Sequence, residues 1–150
     1  MARFNYRMQN ILGLMENFEE QAKQNFADKR RILSEEEEAL AALNDKKSKL
    51  NEEAKKLRVG AIDVRKIKEN DYEKKFIDEE IKKQKVKVHV ANKNLENARL
   101  RMQEAIKNRK MHEKLKENAF EQFMAEEAAK ETLEIDGLTS YVYGAGRKNS

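Results

Sequence analysis

His112-Glu113-Lys114-Leu115-Lys116 opens like the helix of a zinc hydrolase, in which two histidines four residues apart hold the metal and the glutamate between them serves as base. Here Lys116 stands where the second histidine belongs, and the other histidine of the chain, His89, is far away in sequence. No metal site can be assembled from this pair. Gly144-Ala145-Gly146 offers two glycines but no following strand or helix that would make a phosphate cradle. A nucleophile and a base need a pocket to hold them together, and nothing in the pattern described below builds one. No catalytic residue, metal ligand or cofactor is expected, and the chain does not read as an enzyme. The run Lys82, Lys83, Lys85, Lys87 and Lys93 has the charge to meet nucleic-acid phosphates. Glu79, Glu80 and Glu96 dilute that field, so the run reads as the solvated face of a helix and no nucleic-acid partner is expected.

The elements that carry these residues follow from composition and period. Of 150 residues, 40% are charged and 39% hydrophobic, with no Pro, Cys or Trp. A compact globular core needs aromatic bulk and several turning points. Abundant Glu, Lys, Ala and Leu at a period near 3.5 instead specify long helices. Disorder fits the charge but not the regular spacing of the apolar residues. The absence of cysteine excludes a disulfide framework and suits a reducing compartment. The longest apolar stretch, near Ile11-Leu12-Gly13-Leu14-Met15, is far shorter than the ~20 residues of a membrane span, and no signal-peptide pattern is visible. A cytoplasmic location is expected.

Charge is unevenly spread. Residues 61–110 carry 15 basic and 9 acidic side chains, whereas 111–150 carry 5 and 8. The middle of the chain is therefore basic and its last part acidic.

From Met8 a 4-3 register runs through Leu12, Met15, Glu19, Ala22, Phe26, Lys29, Leu33, Glu36, Leu40, Leu43, Lys47, Leu50, Ala54 and Leu57, and eleven of these fifteen positions are apolar. A second register takes in Ile67, Asn70, Lys74, Ile77, Ile81, Gln84, Val88, Ala91, Leu95, Ala98, Met102 and Ala105. Gln84 is either a register-setting polar residue or a tolerated defect. Beyond Arg109 the apolar residues shift to Met111, Leu115, Ala119 and then Phe120, Phe123 and Met124, which reads as a stutter. Between the registers lies Leu57-Arg58-Val59-Gly60-Ala61-Ile62-Asp63-Val64. Gly60 suits the left-handed position past a helix end, and Asp63 can cap a new helix through the N–H of Arg65 or Lys66.

So short a connection folds two helices back on each other. The fold class is all-α: an antiparallel coiled-coil hairpin with a first helix over about 4–58, a turn at 59–63 and a longer second helix over about 64–136. Gly137 is the expected stop, and 138–150 a flexible tail. By this pairing Met8 reaches only residue 114, so Leu115, Phe120, Phe123 and Met124 form an apolar stripe without an intramolecular partner. Such a stripe calls for a partner protein. The (i, i+4) aromatic pair Tyr72 and Phe76 stands close to the turn.

Several of these residues carry a family resemblance. Phe4-x-Tyr6-Arg7-Met8-Gln9-x-Ile11-Leu12, Gly60-x-Ile62-Asp63-Val64, Asn70-x-Tyr72-x-x-x-Phe76-Ile77 and Arg109-Lys110-x-His112-Glu113-Lys114-Leu115-Lys116 occur in an order that resembles the FliJ family, coiled-coil proteins of the flagellar type III export apparatus. The resemblance implies a non-enzymatic stalk similar to the central stalk of rotary ATPases. Its implied partners are the hexameric export ATPase, the membrane-embedded export gate component FlhA and export chaperones. It implies a place at the cytoplasmic face of the membrane, held there through partners. By position it sets Phe4, Arg7, Met8, Gln9 and Leu12 at the end that approaches the ATPase, with Leu115, Phe120, Phe123 and Met124 of the overhang. Tyr72 and Phe76 fall where the export gate would bind. Injectisome stalk proteins share the architecture, and a chaperone or adaptor that holds client helices on the overhang is the alternative reading.

Overall fold

The computed structural model describes residues 2–148, with side chains as far as residue 146. Two helices account for nearly all of it: α1, Gln9–Leu57, and α2, Val64–Lys148. The connection is built as the sequence predicts. α1 closes with tightened bonds, Arg58 N–H to Lys55 O and Val59 N–H to Lys56 O. Gly60 then takes φ +79°, and among the described residues no other residue has a positive φ. Asp63 caps α2: its carboxylate accepts from the N–H of Arg65 at 3.1 Å while its carbonyl accepts from Ile67 N–H. A Cβ at Gly60 would meet nothing within 4 Å, so the cost of replacing it is conformational and not steric. Gly60→Ala is expected to destabilise by about 1–2 kcal/mol, read as a lower midpoint in urea with an unchanged m-value.

The chain divides into two compact units. Residues 20–104 form one, in which the end of α1 and the start of α2 pair antiparallel across the turn. Residues 1–19 with 105–150 form the other, in which the N-terminal segment and first turns of α1 meet the later part of α2.

In the first of these units every seam position named from the sequence is buried or half-buried. Ala54, Ile81, Ala91 and Ala98 are buried. Alanine recurs because a two-helix seam is thin, and small residues let the backbones close on the larger side chains opposite. Two buried polar residues fix the register. Asn70 donates to Leu50 O at 3.0 Å, and Gln84 donates to Glu36 O at 2.9 Å and to the Glu36 carboxylate. Gln84 is thus a register-setting residue. Sliding either helix would leave its buried amide without a partner. Lys47 and Asp78 add an ion pair at 2.8 Å that is half open to solvent.

In the other unit four expectations are corrected. α1 begins at Gln9 and not near residue 4, because residues 2–6 form an arm without helical structure that brings Phe4 onto α2. The Phe4 ring meets Phe120 at 5.2 Å, edge to face, and Phe123 at 5.3 Å. Phe120 and Phe123 therefore do have an intramolecular partner, and the stripe is partly covered by the arm. The stutter is absent as well. The 4-3 spacing continues through Arg109, His112, Lys116, Ala119 and Phe123, all half-buried, while Met111, Leu115 and Met124 face solvent. Finally, α2 does not stop at Gly137 but runs on to Lys148. One glycine costs a helix only ~1 kcal/mol, and no proline follows to end it. The part of the expected tail at 149–150 lies outside the described residues. From Ala128 to Gly146 α2 is exposed on every side.

Candidate functional sites

The terminal site is assembled where the arm and the first turns of α1 meet residues 109–123 of α2. Its centre is an ion pair between a buried carboxylate and a half-buried guanidinium. Glu19, 7% exposed, accepts from Arg109 Nε at 2.5 Å and from a second guanidinium nitrogen at 3.4 Å. The same guanidinium donates to Glu113 at 2.7 Å. Hydrogen bonds donated to Glu19 and then to Glu113 hold Arg109 above its ordinary range, so it stays cationic at any working pH. Both Glu19 and Arg109 occupy seam positions, where an aliphatic pair would be the simpler filling. Toward the terminus, Lys116 Nζ donates to Gln9 Oε1 at 2.7 Å. Phe4, Leu12, Glu16, Glu113, Lys116, Glu117 and Phe120 line a groove of about 410 Å³. Outside the groove lining, Tyr6 Oη and His112 Nδ1 are buried in the same unit without a hydrogen-bond partner.

The residues singled out from sequence for this end divide by what they touch. Leu12 is 3% exposed and belongs to the seam, so its role is to hold the helices together. Phe4 and Phe123 are half-buried against each other, and Gln9 is engaged by Lys116. Arg7, Met8, Leu115, Phe120 and Met124 present exposed surface. Sequence reasoning passed over Glu19, Arg109 and Glu113 as a unit. Counting the 4-3 spacing onward from Ala105 through polar residues would have found Arg109.

The turn-proximal site lies in the other unit. Tyr72 and Phe76 are 75% and 59% exposed, so neither is consumed by the seam. Phe76 also forms one wall of a groove of about 330 Å³ with Leu50 and Ile77, rimmed by Lys46, Lys49, Glu53 and Glu73. A ring half in a groove and half in solvent is what a docking contact needs: apolar area to bury, beside both signs of charge to orient a partner. Among the described residues no group of three His, Cys, Asp or Glu side chains could hold a metal ion, and no helix is long and apolar enough to cross a membrane.

Two long helices, a seam fixed by polar residues, and exposed aromatic groups at separate places define a coiled-coil hairpin protein. The chain belongs to the flagellar FliJ protein family, which it matches over residues 4–148. Among solved structures it is similar to a YscO homologue, CT670, from Chlamydia trachomatis, with a TM-score of 0.75 over 99% of this chain and 100% of that one. At 20% identity that likeness shows the shared fold. No curated protein matches the chain.

Proposed function

We propose that this protein is a non-enzymatic stalk of the flagellar type III export apparatus, coupling the hexameric export ATPase to the FlhA export gate. The observation that carries the reading is membership of the FliJ family over nearly the whole chain. In this reading the ATPase ring takes the terminal site, where Arg7, Met8, Leu115, Phe120 and Met124 are exposed around the Phe4 arm. FlhA takes Tyr72 and Phe76, and export chaperones are handled by the same protein. It works in the cytoplasm, at the membrane face through its partners. Exposed apolar groups beside paired charges suit such contacts, since burying them on a partner is favourable while the charges set orientation.

Phe76→Ala tests the gate contact. Because the ring is mostly exposed, the variant should melt within a few degrees of the parent, while binding to the cytoplasmic part of FlhA weakens at least about tenfold. Calorimetric titration beside a thermal melt separates the two effects. A lower melting temperature with unchanged FlhA affinity would assign Phe76 to the hairpin itself.

A further inference from the structure

Between Lys82 and Leu95 this highly charged chain contains five lysines, one histidine and no acid. Lys82 and Lys83 are occupied by Glu79 and Glu80 one turn earlier, both at 3.5 Å. Lys85, Lys87 and Lys93 have no acidic partner among the described residues. Two valines lie among them on the outer side of α2, Val86 at 62% and Val90 at 50% exposure. Valine is a poor choice for an exposed helical position, because its branched Cβ loses rotamer freedom against the preceding turn and gains no packing in return. Val88, between them, serves the seam; Val86 and Val90 do not. They form, with Ile32 and Glu36 of α1 and Ala91, a groove of about 370 Å³ whose rim includes Lys87 and Asn94, and the Glu36 carboxylate there already accepts from Gln84.

We infer that this groove is a docking site for an acidic amphipathic helix of a partner protein. A concave apolar strip between two helices receives one or two aliphatic side chains spaced (i, i+4), the helix-in-groove mode of recognition. Charge complementarity sets the sign of the partner: carboxylates flanking those side chains meet Lys85, Lys87 and Lys93, which form no ion pair among the described residues, while Glu36 is engaged by Gln84. The composition disfavours nucleic acid, since the stretch contains no arginine and no Phe, Tyr or Trp, which leaves the His89 imidazole as its one ring for stacking. A lipid surface is disfavoured by shape, because a groove takes a protruding side chain better than a flat interface does. The site is distinct from Tyr72 and Phe76 and from the terminal site, so it stands whether or not those bind as proposed.

The test uses the full-length protein and a synthetic labelled helix of about three heptads, with leucine at the seam positions and glutamate on either side. Two control peptides carry lysine in place of glutamate, or the same residues scrambled. In anisotropy titrations the acidic amphipathic peptide is expected to bind at least about tenfold more tightly than either control. Val86→Ser/Val90→Ser should weaken it by a similar factor, with melting temperature nearly unchanged because both positions are exposed. Lys85→Glu/Lys87→Glu/Lys93→Glu should reverse the preference toward the lysine peptide. The inference is overturned if the scrambled peptide binds equally well or if the valine variant binds like the parent. It is also overturned if a single-stranded oligonucleotide or anionic phosphatidylserine vesicles bind the same lysines more tightly than the peptide.

Discussion

Arg109→Leu is expected to lower the melting temperature by about 5 °C or more. The change takes the guanidinium from a carboxylate that is 7% exposed, and Glu19 cannot turn to bulk water from its seam position without prising the helices apart. Glu113 loses the same guanidinium, but it is half exposed and recovers hydration. Glu19→Leu/Arg109→Leu should regain most of the loss, because two well-packed aliphatic residues at facing seam positions replace an ion pair that was costly to desolvate. The measurement is a double-mutant cycle by thermal and urea denaturation. If the double variant is no more stable than Arg109→Leu alone, the pair contributes through packing of the arginine stem and not through charge.

Truncation after Lys116 is expected to abolish association with the export ATPase and its stimulation, and with them flagellar export. It removes Phe120 and Met124 from the exposed surface and Phe123 from contact with the arm. The Glu19–Arg109 pair, the Lys116–Gln9 bond and the whole of unit 20–104 remain, so the fragment should stay helical by circular dichroism. Because the cut also frees Phe4, a companion variant is needed. Phe4→Ala keeps α2 intact and removes only the ring that packs on Phe120 and Phe123. If truncation abolishes binding and Phe4→Ala merely weakens it, α2 supplies the contact directly. If the two are equal, the arm is the binding element. ATPase stimulation undiminished by truncation would remove the terminal site from the proposal.

The hairpin was legible because its determinants are local. Spacing of Leu33, Leu40 and Leu50 gives one seam, that of Ile77, Ile81 and Ala98 the other, and a glycine with a capping aspartate joins them. Each is decided within a few residues of chain. The terminal site was less legible for a physical reason. Hydrophobic periodicity reports a seam only where the seam is apolar, and at Arg109, His112 and Lys116 it is filled by polar side chains. The eye then follows Met111 and Leu115 instead, one residue out of phase. Phe4 against Phe120 is harder still, since it joins an irregular arm to a helix more than a hundred residues away. Gly137 misled in the other direction: one glycine costs a helix only about 1 kcal/mol and does not by itself end it. Tyr72 and Phe76 stand at (i, i+4) spacing soon after the turn, but spacing alone does not say that they remain outside the seam.

The turn carries a consequence for how the protein can be taken apart. Residues 58–63 are all exposed, and their backbone bonds are confined to the end of α1 and the start of α2. Severing the peptide bond after Gly60 would therefore break no hydrogen bond between the helices. What the covalent link supplies is proximity, a local concentration of order millimolar for so short a tether. Orientation and register come from Asn70 on Leu50, Gln84 on Glu36 and Arg109 on Glu19. Two separately expressed halves, 1–60 and 61–150, thus carry in their side chains the instructions for finding each other in the native alignment. The molecule can serve as a split pair whose reassembly reports that two fused partners have met.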